Sequence, residues 1–411
     1  MSSPTMLRRA GGAVLSGALR GPVSELTRWS RSHLDLLLSI SVGLLVLLAA
    51  VPSDVSSQQR LGLALVVSML ILGRIPRAST IPVTRILFLS AGAFLTLRYF
   101  FWRTAHTVVF HDVVSFTVSI LLYAAELYGI VLYLVSLIIN ARTLDRSEAS
   151  LEVTGREEDW PTVDIMVPSY NEDPKLLEVT LLAAVAMDYP KGLVEVHLLD
   201  DGGTLQKRTP DRPEDGSRPT EDAIARAKEA SQRHIELQKL CDRVGCTYRT
   251  RRINNHAKAG NINAALFPPD GPVDDLYEHP YSAPPLTNRE LILILDADHV
   301  PTPDFLKRTV GAFQRDPELF LLQTPHFFIN PDPIEKNLDT FRTMPSENEM
   351  FYAAIQRGLD FWNSSFFCGS AALLRRTFLE DNDGVSGHSI TEDAETALAL
   401  HNKGYRSAYF D

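Results

Sequence analysis

The feature that most constrains the fold is a run of five aliphatic residues, Leu291 to Leu295, followed directly by two carboxylates. An unbroken aliphatic run of this length is typical of a strand buried on both faces, as in a parallel sheet covered by helices. Asp296 and Asp298 follow its carboxyl end with one small residue between them. Because ligands of open α/β sheets bind beyond the carboxyl ends of strands, the pair indicates either a site for a hard cation such as Mg²⁺ or a solvated acidic turn.

Charge is divided unevenly along the chain. Residues 1–150 carry 13 Arg, no Lys and 7 acidic residues, whereas residues 151–411 have a net charge of −16. A basic, apolar first third followed by an acidic remainder predicts a membrane anchor joined to a soluble domain. The acidic balance of that domain argues against general nucleic-acid binding, which needs an excess of Lys and Arg to neutralise phosphates.

Four apolar stretches in the first third predict transmembrane helices, at about 34–51, 57–73, 81–101 and 113–139. The fourth contains Glu126, which is costly in lipid and is therefore expected to face other helices or the membrane interface. Arginines collect before the first stretch, between the second and third, and after the fourth. This distribution predicts that the amino terminus and the large domain both lie in the cytoplasm.

The predicted organisation is a cytoplasmic segment at 1–32, four membrane helices within 33–142, a charged linker at 143–160 and one domain at 161–411. Strands alternate with helices in that domain, which predicts an α/β fold with a mostly parallel sheet. The predicted strands are 163–168, 194–199, 246–250, 291–295 and 319–323. The three cysteines cannot all pair, which favours a reducing compartment.

Three successive predicted strands end in polar loops, at 169–172, 200–203 and 296–299. Such convergence is expected of a nucleotide and metal site and is not expected of unrelated acidic turns. Asp200 and Asp201 can accept hydrogen bonds from a base or a ribose, and the glycines that follow let the backbone approach closely. The alternative is that both aspartates only cap a turn.

Two later segments add reactive groups. Lys258 lies at the start of a predicted helix, where anionic oxygens are favoured, so it could neutralise a diphosphate or simply be solvated. Asp393 lies in the first turn of another predicted helix, with a possible capping box of Ser389 and Glu392, and could act as a general base. The segment 366–370 could pack beneath a flat ligand such as a sugar ring, or form a buried strand.

Together these segments resemble the bacterial cellulose synthase catalytic subunits, which are processive family 2 glycosyltransferases with a GT-A fold. The resemblance runs from about the first predicted span to the last residue. It implies a Rossmann-like GT-A domain in the cytoplasm behind four helices in the bacterial inner membrane. The segments that carry it are 98–103, 167–172, 199–204, 256–261, 295–301, 323–333, 366–370 and 391–397.

The resemblance also implies a role for each matching residue. The donor would be UDP-glucose, with Mg²⁺ or Mn²⁺ on Asp296 and Asp298, and Asp393 would deprotonate the 4-hydroxyl at the non-reducing end of a growing β-1,4-glucan. Transfer would invert the sugar's configuration, and Cys368 would lie near the acceptor end. The positions that the resemblance assigns to substrate binding are Tyr170, Asp200, Asp201, Lys258, Asp296, Asp298 and Cys368.

The family further implies a periplasmic membrane-anchored partner subunit, contact with membrane lipid and regulation by cyclic di-GMP. One departure is large, because the family's Gln-x-x-Arg-Trp motif does not follow Asp393 and no later channel helices or regulatory module are present. We therefore expect an amino-terminal part that binds UDP and makes little or no polymer. The alternatives are another processive β-glycan synthase, making curdlan or mixed-linkage glucan, and an inactive nucleotide-binding membrane module.

Overall fold

The computed structural model of the protein describes residue 62 and residues 82–146, 151–213, 217–267, 289–346 and 348–411. The chain divides into two compact units, residues 1–142 and residues 143–411. The described part of the first unit consists mainly of two helices, α1 at Pro82–His106 and α2 at Val113–Ala141.

Helix α2 corresponds to the fourth predicted span and α1 to the third. Among the described residues, α2 is the one helix long and apolar enough to cross a membrane, judged by length and composition. Asp112 begins it, because its carboxylate accepts hydrogen bonds from two backbone amides of the first turn. The predicted spans at about 34–51 and 57–73 lie outside the described residues, so the arrangement of four spans stays a prediction.

Polar side chains join α1 to α2. Glu126 accepts hydrogen bonds from Arg103 Nε at 2.7 Å and from the Tyr99 hydroxyl at 3.3 Å. The hydroxyls of Thr104 and Tyr123 lie 2.8 Å apart. An ion pair between neighbouring helices compensates a carboxylate within an apolar segment. Glu126 therefore faces the neighbouring helix, one of the two placements expected for it.

A seven-stranded sheet forms the centre of the second unit. Its strands are β1 Val163–Ser169, β2 Val194–Asp200, β3 Thr247–Arg249, β4 Leu291–Ile294, β5 Leu319–Gln323, β6 Ala372–Arg375 and β7 Arg406–Tyr409. The order across the sheet is β3-β2-β1-β4-β6-β5-β7. Strand β6 is antiparallel to β4 and β5, and the other pairs are parallel. The predicted α/β fold with a mostly parallel sheet is confirmed.

Helices cover both faces of this sheet, and buried aliphatic side chains of the strands pack beneath them. The helices are α3 Pro174–Val185, α4 Leu205–Arg208, α5 Glu221–Val244, α6 Ala257–Leu266, α7 Phe305–Thr309, α8 Gly311–Arg315, α9 Pro333–Leu338, α10 Arg357–Phe361, α11 Arg376–Asp381 and α12 Glu392–Asn402. A 3₁₀ turn at Glu157–Asp159 and a π-helical turn at Phe351–Gln356 complete the described elements.

The structure excludes two local possibilities, the capping box at the start of α12 and a regular strand at 366–370. The cap of α12 is Thr391, whose side chain makes no capping hydrogen bond, so the predicted box of Ser389 and Glu392 does not form. The segment 366–370 is irregular, and the chain enters β6 only after Gly369, whose φ of +80° interrupts an extended strand.

Part of the predicted linker packs into the core of the second unit, to which it belongs. Leu151 is buried in the core of that unit, and the Val153 amide donates to the carbonyl of Lys307 at 2.8 Å. Residues 151–160 therefore extend the folded domain towards the amino terminus.

Candidate active site

A cavity of about 420 Å³ opens at the carboxyl ends of β1, β2 and β4, against the start of α6. Parallel pairing brings these ends together, since Ser169 is opposite Asp200 and Met166 is opposite Ile294. The cavity thus lies where an open α/β sheet is expected to bind its ligand. Five of the residues singled out from the sequence line it, namely Tyr170, Asp201, Lys258, Asp296 and Asp298.

The carboxylates that follow β4 are accessible from this cavity. The side chains of Asp296 and Asp298 are 38% and 66% exposed. Asp296 is fixed by its own amide, which donates to the Ser370 hydroxyl at 2.7 Å. Two carboxylates spaced in this way offer the hard oxygen donors that Mg²⁺ and Mn²⁺ prefer, so the residues fit such a cation.

Lys258 bridges two sides of the site. Its ammonium forms an ion pair with Asp296 Oδ1 and donates to the carbonyl of Gly369 at 2.7 Å. The residue lies in the first turn of α6, which begins after His256 in a left-handed conformation. If Asp296 held a cation, the charge of Lys258 would be available to an anionic ligand.

Asp201 is held by a buried arginine that sequence reasoning did not single out. Arg251 donates to both carboxylate oxygens of Asp201, at 2.6 and 2.7 Å. The same guanidinium donates to the carbonyls of Asn255 and Ala257, so it ties the end of β2 to the start of α6. Burial raises the pKa of Asp201, and the ion pair with Arg251 opposes that rise.

Asp200 lies beneath the site and does not line the cavity. It is fully buried and accepts hydrogen bonds from the Tyr248 hydroxyl at 2.9 Å and from the Gly202 amide at 3.0 Å. A Cβ at Gly202 would approach the Tyr170 carbonyl to 2.0 Å, so this tight turn requires glycine. The role of Asp200 towards a base or ribose stays a prediction.

Burial makes Asp200 a source of pH-dependent stability. It raises the pKa of this carboxyl from 3.8 to about 6, although Arg233 and the two hydrogen bonds oppose the change. The folded state therefore binds the proton more tightly than the unfolded state. The free energy of unfolding should fall as pH rises from about 4 to 6, by on the order of 3 kcal/mol from this group.

Thermal unfolding of the protein and of Asp200→Asn, across about pH 4.5 to 7.5, tests this expectation. The stability of the unaltered protein relative to the variant should decline over the lower part of this range and then level off. A difference that does not change with pH would contradict the assignment.

Asp393 approaches the cavity from α12. A Cβ at Gly369 would lie 3.3 Å from Asp393 Oδ2 and 3.7 Å from Lys258 Nζ, so the carboxylate and the ammonium meet at this glycine. The other oxygen of Asp393 accepts a hydrogen bond from the Ala394 amide at 2.8 Å. This places a proton acceptor beside the group of charges around Asp296.

Two buried glutamines, which sequence reasoning missed, fix the segment 366–370. Gln323 Oε1 accepts from the Cys368 amide at 2.9 Å, while its Nε2 donates to the carbonyl of Ser370 at 2.8 Å. Gln356 donates to Cys368 Sγ at 3.0 Å. Burial raises the pKa of the Cys368 thiol to about 12, and the charge of Asp393 adds to this rise. The one sequence signal was a glutamine ending a strand that is otherwise apolar.

A second carboxylate cluster lies at the opposite edge of the sheet. Asp164, Glu195 and His197 bring ligand atoms within 4.8 Å of one another near the starts of β1 and β2. His197 lies 3.1 Å from Asp164 and accepts from Arg249 at 3.2 Å, and burial lowers the pKa of this imidazole.

Arginines already satisfy this second cluster. Asp164 also pairs with Arg376, and Arg289 Nε lies 3.2 Å from it. Because guanidinium groups supply the compensating charge, we assign these three side chains a structural role and no metal.

Similarity to a known protein family identifies the class of protein to which part of this chain corresponds. Residues 291–411 match the sequence model of glycosyl transferase family group 2. The matched region contains Asp296, Asp298, Cys368 and Asp393. The chain therefore carries a family 2 glycosyltransferase segment.

Relatives over nearly the whole chain define the family more narrowly. The chain is 38% identical over 395 residues to a cellulose synthase catalytic subunit (UDP-forming) of Pseudomonas fluorescens, covering 95% of this chain and 46% of that protein. It is 35% identical over 402 residues to the protein of that name from Xanthomonas axonopodis pv. citri, covering 97% of this chain and 47% of the relative. The chain is a homologue of bacterial cellulose synthase catalytic subunits and spans about half their length.

Solved glycosyltransferases are also similar in structure. A mannosyltransferase from Pyrobaculum calidifontis, in complex with GDP-Man and Mn²⁺, gives a TM-score of 0.36 at 20% identity and covers 63% of this chain and 57% of its own. TarS 1–349 from S. aureus, in complex with UDP-GlcNAc, gives 0.35 at 16% identity, covering 61% and 56%. Both TM-scores lie below 0.5, so these similarities do not establish a common fold.

Proposed function

We propose that the protein transfers glucose from UDP-glucose to the non-reducing end of a β-1,4-glucan, with inversion, at the cavity beyond β1, β2 and β4. This proposal is supported by one group of side chains that the fold brings together. Lys258, Asp296 and Asp298 share a cavity with Tyr170 and Asp201, and Asp393 lies beside it across Gly369.

The donor half of the site would bind UDP. Tyr170 and Asp201 occupy the end of the cavity formed by β1 and β2, where a base and ribose would lie, and Lys258 would pair with diphosphate oxygens. Asp296 and Asp298 would hold Mg²⁺ or Mn²⁺, which when bound supplies positive charge to the departing diphosphate. Lys258 would then exchange part of its contact with Asp296 for a phosphate oxygen.

The acceptor half would depend on Asp393 and on the segment 366–370. Asp393 Oδ2 is the oxygen next to Gly369, and it would take the proton of the attacking hydroxyl. Cys368 and its glutamine partners would form the floor on which the acceptor sugar lies. The contact of Cys368 with the glucan is part of this proposal.

We also propose a location in the membrane. Helix α2 supports one span, and the four apolar stretches with their flanking arginines support a multi-pass protein of the inner membrane with its catalytic domain in the cytoplasm. The periplasmic partner subunit and the response to cyclic di-GMP remain expectations from the family.

Because residues 1–411 are expected to make little or no polymer by themselves, the reaction is tested with membranes that carry a protein of the relatives' full length containing these residues, by incorporation of labelled glucose from UDP-glucose into polymer. Linkage analysis of the product distinguishes a β-1,4-glucan from curdlan or a mixed-linkage glucan. Polymer with another linkage would contradict cellulose synthesis and leave glycosyl transfer intact. Binding of UDP with no transfer under any condition would favour a nucleotide-binding module.

A further inference from the structure

A groove of about 1050 Å³ lies beside the active-site cavity, between α4 and α5, and Tyr170 lines both. Lys207 from α4 places its Nζ 3.3 Å from the centre of the Tyr170 ring. This nitrogen is buried and has no hydrogen-bond partner in the described part of the chain. The carboxylate of Asp201, with which Lys207 interacts electrostatically, and the aromatic face of Tyr170 together compensate this charge.

The backbone of Lys207 is fixed independently of that ring. Thr204 begins α4 and its hydroxyl accepts from the Lys207 amide at 3.4 Å. Arg208 Nε donates to the carbonyl of Gly203 at 2.9 Å, and the Gln206 amide donates to the carbonyl of Arg252 at 2.9 Å. The short helix is therefore anchored both to the turn after β2 and to the loop that contains Arg251.

Tyr170, in contrast, has a side chain that is partly exposed. Its amide donates to Glu172 at 2.6 Å, but its side chain is among the exposed large hydrophobic groups, at 48%. The ring has two faces, and an ammonium against one face leaves the other for a flat ligand. Loss of the cation would leave the ring free to change rotamer.

We propose that Lys207 is a positioning residue, which holds the Tyr170 ring as a stacking platform for the nucleobase of the donor. The proposal rests on the proposed function and extends it to a residue outside the cavity itself. Stacking on an aromatic ring depends on the π face of a base and tolerates different bases. Lys207 should therefore support binding of UDP and CDP alike, and should not affect a ligand that lacks a base.

Equilibrium binding of UDP, CDP and inorganic pyrophosphate to the complete 411-residue chain tests this role. In Lys207→Met, affinity for both nucleotides should fall by about tenfold, and pyrophosphate binding should not change. Lys207→Arg should stay within about twofold of the unaltered chain, because a guanidinium also stacks on an aromatic ring. In Tyr170→Leu, adding Lys207→Met should cause no further loss.

Lys239→Met, an exposed position on α5, serves as the matched control and should bind all three ligands normally. An equal loss of pyrophosphate binding in Lys207→Met would show that Lys207 acts on the phosphates and would overturn the proposal. So would unchanged nucleotide binding, or a loss confined to UDP, which would indicate a direct hydrogen bond to uracil. Failure of the unaltered chain to bind UDP would instead overturn the proposed function, and this role with it.

Discussion

Asp298→Asn is expected to abolish most of the increase in UDP affinity that Mg²⁺ or Mn²⁺ produces. In the presence of the metal, the variant should therefore bind UDP about a hundredfold more weakly than the unaltered chain. The amide keeps the shape of the side chain and removes the charge that a divalent cation needs. Asp298 is 66% exposed, and its nearest ionic neighbour is His299 at 3.9 Å, so the change should not disturb the fold. Titration of UDP with and without the metal measures the effect.

Asp304→Asn is the matched control, because this exposed carboxylate lies six residues further along the chain and pairs only loosely with Arg308 at 3.6 Å. It should leave the metal-dependent increase intact. UDP binding in the absence of metal should be similar in both variants. If Asp298→Asn retains the full increase, Asp298 is not a ligand of the cation.

Asp393→Asn is expected to lower glucose transfer by at least about a hundredfold while UDP affinity stays within about twofold. The substitution removes the proton acceptor beside Gly369 and preserves the volume of the side chain. Asp393 lies on α12 and does not line the donor cavity, so binding and transfer should separate. Labelled glucose transfer by membranes carrying a protein of the relatives' full length that contains residues 1–411, together with UDP binding, measures both quantities.

The same Asp304→Asn control should transfer glucose at the unaltered rate. A parallel fall in UDP affinity in Asp393→Asn would mean that the carboxylate supports the donor site and not the acceptor. Transfer at the normal rate would remove Asp393 from the reaction.

Much of the sheet was predictable because each of these strands has a recognisable pattern within a short stretch of sequence. Short segments rich in aliphatic residues predicted β1, β2, β4 and β5 to within about one residue, and the polar loops after three of these strands identified where the cavity would be. These segments are informative because strands buried on both faces are mostly apolar, and because parallel strands present their carboxyl ends at one edge.

The position of β6 could not be predicted in this way. It inserts antiparallel between β4 and β5, although it follows both of them in the chain. Pairing of that kind depends on contacts that are distant in sequence. The irregular segment before it, turned by Gly369, then determines how close Lys258 and Asp393 come to each other.

The buried polar residues that hold the site residues could not be predicted from the local sequence either. Arg251 stands in a run of polar residues with no sign of burial, yet it is 1% exposed and binds both oxygens of Asp201. Gln323 and Lys207 were missed for the same reason. Each acts through a residue that is remote in sequence or in a neighbouring loop, so only the folded chain reveals the contact.

The most direct test of the central claim is equilibrium binding of UDP to the purified 411-residue chain in detergent, with and without Mg²⁺ or Mn²⁺. We expect saturable binding that strengthens with the metal and is displaced by UDP-glucose. Asp298→Asn should lose the metal-dependent part of the affinity and keep the part that is measured without metal. Absence of saturable UDP binding, or binding that is indifferent to both the metal and Asp298, would contradict a donor site at the carboxyl ends of β1, β2 and β4.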